Sequence, residues 1–325
     1  MRAPKFWRTD NALSRFLEPF GHIVGVITTR RMNKAKPLRV DVPVICVGNL
    51  SVGGTGKTPI AASIAANLSN RGKNPAILMR GYGGRLKGPT RVEASIHTIN
   101  DVGDEALLHT ATAPVWVARN RALSALSAIK SGADTLIMDD GHQHNTLAKD
   151  LTFLVIDGYA GFGNGRITPA GPLREPAESG LARAQVAILM GPDPHRIEEG
   201  LAKHIQVLRA RLAPGPEWRH LQGRKVIGFA GIGDPEKFLN TLNAAGAHVV
   251  AFHPFSDHYG YVDADIQSIL DEAFAVDALP VTTEKDAIRL SLDQRQQVNI
   301  LTVGVEWEDK TKLDRLLDSI IEKPA

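Results

Sequence analysis

The 325-residue sequence contains a single cysteine, Cys46. One thiol can neither close an intramolecular disulfide nor build a cysteine-based zinc site, so a hydrophobic core must hold the fold and a reducing compartment is the natural setting. Long apolar runs are also missing. None approaches the ~20 residues that a membrane-spanning helix requires, and charges interrupt the N-terminal stretch where a signal peptide would carry its apolar middle. Neither a crossing helix nor a cleaved leader is expected. Net charge is small too, at +3, which argues against the broad basic face of a nucleic-acid binder. Internal repeats and low-complexity tracts are lacking.

Hydrophobic residues make up 43% and charged residues 22%, with 30 Gly and 19 Pro, the profile of a packed globular chain. The length suggests two domains. The small net charge hides an uneven distribution. Residues 1–40 carry nine Lys/Arg against Asp10 and Glu18, a balance of +7, which leaves −4 for the remainder. Of the 18 aromatics, Phe6, Trp7, Phe16 and Phe20 crowd into the first 20 residues. From Leu13 the apolar positions Leu13, Phe16, Leu17, Phe20, Ile23, Val24 and Ile27 keep the three-and-four spacing of one helical face. Residues 1–38 therefore read as an amphipathic segment with two uses open. One is an interfacial helix that sinks Phe and Leu into a headgroup boundary while Arg30, Arg31, Lys34 and Lys36 meet anionic lipid. The other is a helix packed on its own domain.

Short apolar runs then alternate with helical stretches: Val42–Gly48, Ala76–Met79, Val115–Ala118, Thr135–Met138, Leu151–Ile156 and Val186–Met190. Continuous apolar strands separated by helices predict an α/β fold, a parallel sheet covered by helices on both faces. Residues 39–211 are assigned to this P-loop NTPase-like domain. The Pro/Gly-rich stretch 212–223 reads as a linker. Beyond it, Val226–Phe229, Val249–Phe252, Pro280–Thr283 and Asn299–Val303 predict a smaller C-terminal α/β domain over 224–325.

Strand, loop and helix follow in the order of a phosphate-binding turn: a strand ending at Gly48, the loop Ser51-Val52-Gly53-Gly54-Thr55-Gly56-Lys57-Thr58, and a helical Ile60–Leu68. The loop matches the P-loop pattern from Gly56 onward, with Ser51 standing where the pattern has glycine. Its backbone N–H groups would wrap the phosphates of ATP, Lys57 would reach the β/γ-phosphates and Thr58 would offer a hydroxyl to Mg²⁺. An acidic residue at the end of a neighbouring strand should complete the site. Asp139 is the first choice and Asp140 the second. His142 and His144 follow at once, but two histidines beside a nucleotide site with no cysteine nearby more often shape a loop than bind a transition metal. No metal beyond Mg²⁺ is expected. Weaker on spacing alone are Arg80–Arg85, a basic Gly-rich loop suited to an anion or to a plain surface turn, Asp104 and Glu105 before a helical stretch, and His258 in a turn.

These pieces together carry a resemblance. VGNLSVGGTGKTP at Val47–Pro59, RGYGGR at Arg80–Arg85, VGDEALL at Val102–Leu108, DDGHQH at Asp139–His144, FGNGRITPAGPLRE at Phe162–Glu175, FSDHY at Phe255–Tyr259 and TTEKDAIRL at Thr282–Leu290 fall in the order of the tetraacyldisaccharide 4'-kinase family. The sequence resembles that family from its N-terminal helix to its C-terminal domain. The resemblance implies a Gram-negative enzyme, peripheral on the cytoplasmic face of the inner membrane, that uses Mg-ATP to phosphorylate the 4'-hydroxyl of a lipid A precursor disaccharide. It also accounts for the amphipathic end. It implies Asp104 as the base acting on the sugar hydroxyl, with His258 as its partner from the C-terminal domain. Lys57 and Thr58 then serve phosphate and Mg²⁺, while Asp139, Asp140 and Glu105 order the metal and its waters. Arg80, Arg85 and Asn49, which precedes Leu50 at the head of the loop, are the expected substrate contacts. The enzyme is expected to be a monomer with no nucleic-acid partner.

Two residues depart from the family pattern: His142 stands where a bulky apolar or aromatic residue is expected, and Thr168 where leucine is more usual. Outside the family, a membrane-tethered P-loop switch ATPase acting through nucleotide-dependent dimerisation would share the fold. Its signature is an extra lysine early in the loop, where Ser51 and Val52 stand. A regulatory GTPase should show a guanine-reading Asn/Thr-Lys-x-Asp; Thr283-Glu284-Lys285-Asp286 has the letters at the wrong spacing.

Overall fold

The computed structural model describes residues 4–34 and 36–321. The chain forms two compact units, one made of residues up to Arg211 together with those from Val305 onward, the other of Leu212–Gly304. Eight strands arise before the second unit: β1 (Val44–Gly48), β2 (Pro75–Met79), β3 (Thr90–Arg91), β4 (Val115–Val117), β5 (Thr135–Asp139), β6 (Leu151–Asp157), β7 (Val186–Met190) and β8 (Gln206–Pro214). Four more, β9 (Lys225–Ala230), β10 (His248–Pro254), β11 (Leu279–Thr283) and β12 (Asn299–Leu301), make an all-parallel sheet ordered β10-β9-β11-β12. The last strand, β13 (Val303–Trp307), returns to the edge of a nine-stranded sheet ordered β13-β8-β7-β6-β1-β5-β2-β4-β3.

Strands β1, β2, β5 and β7 are buried at every residue, as parallel strands covered by helices on both faces must be. Strand β1 lies between β5 and β6, with Val47 level with Asp139 and Gly48 level with Leu154. The loop that leaves β1 is therefore flanked by the carboxyl ends of both neighbours, the edge where open α/β sheets bind their ligands. The helix Lys57–Asn70 presses Ile60, Ile64 and Leu68 onto Ile45, Val47, Ile77 and Ile137, and this apolar layer fixes where the helix begins.

Three features differ from the sequence reading. Strand β8 and helix Trp218–Leu221, with Leu221 in the core of the second unit, occupy the stretch read as a linker over 212–223. The run Asn299–Val303 ends as β12, and β13 begins a new strand. Residues from Val305 onward, read as part of a C-terminal domain spanning 224–325, belong to the first unit. The reason is apolar packing: Leu313, Leu317 and Ile320 of the helix Lys310–Ile321 join the core around Ile60 and Ile64. Polar contacts reinforce it, because Trp307 Nε1 donates to Ser63 Oγ at 2.9 Å and Arg71 pairs with Asp314 at 2.6 Å and with Asp318.

The N-terminal helix spans Ala12–Lys34. Its buried positions are Ser14, Gly21, Gly25 and Met32, while Leu13, Phe16, Phe20, Ile23 and Ile27 are exposed. A methyl group on Gly21 would lie 2.6 Å from the carbonyl oxygen of Ile167, and one on Gly25 would lie 2.7 Å from Ile167 Cδ1. Only glycine admits so close an approach. The segment before the helix is tied down as well: Trp7 Nε1 donates to Pro169 O at 3.0 Å and Arg166 pairs with Asp10 at 2.9 Å. The helix thus packs on its own unit through small residues and turns its large apolar stripe outward. No helix among the described residues is long and apolar enough to cross a membrane.

Candidate active site

The phosphate loop is built from below by Asn49. Its fully buried amide donates to Ser51 O at 2.7 Å and Thr55 Oγ1 at 3.1 Å, holding both ends of the turn. The amide nitrogen thus shapes the loop, while the buried Oδ1 has no hydrogen-bond partner. Cross-links at Val52 N to Pro172 O and Arg174 N to Leu50 O, both 2.7 Å, stitch the loop to the segment 172–174. Gly56 takes φ +91 as it turns the chain into the helix, whose first turn receives no side-chain cap. Uncapped N–H groups at the start of a helix whose dipole is positive at that end form a ready anion site.

Around this loop stand the acidic residues. Asp140 faces Lys57, with Oδ1 3.7 Å from Nζ, and accepts two bonds from Arg174 Nη1 at 3.0 and 3.1 Å. Burial alone would push its pKa up; the Lys57 and Arg174 cations outweigh that and hold it below the usual carboxylate value. Its backbone is left-handed, φ +50, and the same holds for His258 at φ +58. Such strain in a non-glycine residue tends to collect at functional sites. Asp139 has a different neighbour. It is buried with Oδ2 2.8 Å from His109 Nε2, while its Oδ1 has no hydrogen-bond partner. The order of preference given by sequence, Asp139 before Asp140, is thus not the order of approach to Lys57.

Asp104 and Glu105 open the helix Asp104–His109, and Asp104 Oδ1 accepts from the Glu105 N–H at 2.9 Å. The loop Arg80–Arg85 lies against the preceding turn: Arg85 N donates to Asn100 O, and Arg85 Nε meets Asp101 Oδ1 at 2.8 Å. Bonds from the Thr98 backbone and hydroxyl, and then from Arg85, bring the Asp101 carboxyl down to about 2. Arg85 is thereby engaged in a surface ion pair, while Arg80 is exposed. Behind the loop, Gln143 donates to Asn49 O and to the buried Glu175, both at 2.9 Å, and Arg183 pairs with Glu175 at 2.6 Å. His142 is buried, its Nε2 3.1 Å from Gly180 O, and burial pushes its pKa down to about 3. A neutral, buried imidazole fills the place of the apolar residue expected there. Thr168, the other departure, keeps a turn by donating to Gly171 O at 3.1 Å.

In the second unit, His258 sits on a turn supported by Asp286. That fully buried carboxylate accepts from Gly231 N and Tyr261 OH, each at 2.9 Å, from Thr283 Oγ1 at 2.6 Å and from Arg289 at 3.0 Å. Arg289 continues to Gly231 O at 2.7 Å and lies 3.4 Å from His258 Nδ1. The TTEKDAIRL motif is therefore scaffolding for the histidine loop. Sequence reasoning overlooked its role, together with those of Gln143, Arg174, Glu175 and His109; Arg174 and Glu175 lay in a quoted motif without a part to play.

A family model described as tetraacyldisaccharide-1-P 4'-kinase matches residues 13–322. The chain belongs to that family. A tetraacyldisaccharide 4'-kinase from Rhodospirillum rubrum is 51% identical over 99% of this chain and 98% of its own length. One from Paramagnetospirillum magneticum is 49% identical over 98% and 99%. Among solved structures, LpxK from Aquifex aeolicus in complex with ATP superposes with a TM-score of 0.76 at 29% identity, covering 95% of this chain and 99% of that one. The choice between kinase and switch ATPase, already tilted by the missing lysine early in the loop, falls to the kinase.

Proposed function

We propose that the protein transfers the γ-phosphoryl group of ATP to the 4'-hydroxyl of a tetraacyldisaccharide 1-phosphate, a lipid A precursor. The observation that carries this reading is the pairing of Lys57 with Asp140 at the mouth of an uncapped phosphate loop, in a chain of this family. Lys57 would leave Asp140 for the β/γ-phosphates, and backbone N–H groups of Ser51–Thr58 would cradle them. Asp104 would take the proton of the sugar hydroxyl, with His258 as its partner, and Arg80 would meet an anionic group of the substrate.

The donor set suits Mg²⁺. Thr58 would supply a hydroxyl, and Asp139 and Asp140, with Glu105, would supply hard carboxylate oxygens, of which Asp139 Oδ1 is buried without a partner. No group of three or more His, Cys, Asp or Glu that would cage a metal occurs among the described residues. Mg²⁺ needs none, since it keeps waters and takes oxygens from the substrate phosphates. When bound it neutralises charge on the transferring group.

The outward stripe Phe16, Phe20, Ile23 and Ile27, next to Arg30 and Arg31, would seat the enzyme peripherally on the inner-membrane surface, on the cytoplasmic side where ATP is found. There, as a monomer, it would meet an acylated substrate without extracting it. The test is incubation in detergent with Mg-ATP and a disaccharide 1-phosphate precursor, followed by mass spectrometry for one added phosphoryl group. Wild type should give it and Lys57→Ala should not. Asp104→Ala should lower turnover by a factor on the order of 10² to 10⁴ while ATP still binds. Unchanged turnover would remove Asp104 from the chemistry.

A further inference from the structure

The helix Asp104–His109 has chemistry at both ends. At its start are Asp104 and Glu105; its last residue is His109, fully buried, with Nε2 2.8 Å from Oδ2 of the equally buried Asp139. Two atoms of this couple, His109 Nδ1 and Asp139 Oδ1, lack hydrogen-bond partners. An ionised carboxylate only accepts hydrogen bonds, so the imidazole donates through Nε2–H. A buried carboxylate with one oxygen bonded and the other bare is costly to maintain, and a packed apolar pair would avoid the cost. Its presence at the carboxyl end of β5, level with Val47 of the strand that leads into the phosphate loop, asks for a reason other than stability.

We infer that His109 is a positioning residue for phosphoryl transfer: its bond to Asp139 fixes which carboxylate oxygen stays open and pins the helix that bears Asp104 to the end of β5. The terminal torsion of an aspartate is broad and two-fold, so packing alone does not choose between its oxygens. A hydrogen bond to one of them does. The helix acts as a strut, since five residue steps at 1.5 Å span roughly 7.5 Å. Fixing one end against Asp139 thereby fixes the distance from the strand end to Asp104. Groups that orient a ligating carboxylate typically matter by 10- to 100-fold, as outer-shell partners of metal ligands do. The inference rests on the kinase reading above and draws on the hydrogen bond between His109 and Asp139 itself.

His109→Ala, His109→Asn and His109→Gln would be compared with wild type and with Asp139→Asn. Readouts are kcat and KM for both substrates, thermal midpoint, and the affinity for ATP by calorimetry with and without Mg²⁺. The expectation is a kcat for His109→Ala lower by about 10- to 100-fold with KM for the lipid unchanged. Recovery of at least part of the loss is expected with Gln or Asn, whose amides can donate the same bond. Mg²⁺ should strengthen ATP binding less in His109→Ala than in wild type, and adding His109→Ala to Asp139→Asn should cost little more. The inference is overturned by an unchanged kcat, or by losses that track the thermal midpoint with no recovery in either amide variant. If His109→Ala does not fold, His109→Gln and Asp139→Asn decide the matter: a Gln variant with wild-type midpoint but the full Asp139→Asn defect overturns it. If wild type binds ATP but phosphorylates no lipid, the kinase reading falls, and the Mg²⁺-dependent binding increment alone judges His109.

Discussion

The helices at the two ends of the chain, Ala12–Lys34 and Lys310–Ile321, both carry an apolar stripe at helical spacing, and they use it in opposite ways. In Lys310–Ile321 the stripe faces inward: Leu313, Leu317 and Ile320 are buried against the helix that follows the phosphate loop. In Ala12–Lys34 the stripe faces outward, with Phe16 72% and Ile27 61% exposed, and the helix is held through Ser14, Gly21 and Gly25 on its other side. Periodicity reveals a stripe without saying what covers it. The neighbours decide: one helix flanks its stripe with Asp314 and Asp318, which pair with Arg71 at the end of the helix it packs on, while the other packs through glycines that let a neighbouring backbone approach and leaves its stripe uncovered.

If the outward stripe serves a lipid surface, replacing Phe16, Phe20 and Ile27 together by Ser should weaken binding to anionic vesicles by a factor on the order of 10³ to 10⁶, from the loss of about 1.5–3 kcal/mol per buried side chain. The thermal midpoint should barely move. Equal flotation of variant and wild type would erase the contrast between the helices. The inward stripe predicts the reverse: Leu317→Ala should cost about 2–5 kcal/mol in urea unfolding and leave vesicle binding intact. Gly25→Leu probes the small face, where the added side chain meets Ile167; overpacking of this kind costs about 1–3 kcal/mol. A fully stable Gly25→Leu protein would mean that the helix is not held by close approach.

The same distinction separates what could be read in the sequence from what could not. Strands β1, β2, β5, β6 and β7 were legible because strands covered on both faces are apolar throughout. Strand β8 was not, since Gln206–Pro214 interleaves Arg209 and Arg211 and only its Leu208 and Ala210 are buried. Strand β13 was hidden because only Thr302 separates it from β12. The phosphate loop was legible because its chemistry is carried by backbone and two side chains at fixed local spacing. Asp139 and Asp140 are adjacent at a strand end and so leave it in different directions, but ranking them requires knowing which side holds the loop. His109 was invisible for a related reason: its partner lies 30 residues away, and only the sheet order brings them together.

The smallest effect concerns a side chain whose place sequence alone could not justify. His142 fills a buried position beside Gly180, and burial, with the Lys149 and Arg183 charges adding to it, lowers its pKa from 6.5 to about 3. The unfolded chain therefore binds this proton more readily than the folded one. Stability from keeping the imidazole neutral is complete above about pH 6.5 and drains away as pH falls toward about 3. Between pH 7 and 5.5 the loss should be about 1 kcal/mol for a full separation of the two states. His144, pushed down to about 4 mainly by burial, adds a loss in the same direction. His142→Phe, which restores the bulky apolar residue the family pattern calls for, should shed its own share of that pH dependence and keep the share due to His144. Urea midpoints of wild type and variant at pH 7 and 5.5 measure the difference. Parallel curves would mean that the folded protein accommodates a charged His142, and that its burial carries no penalty in acid.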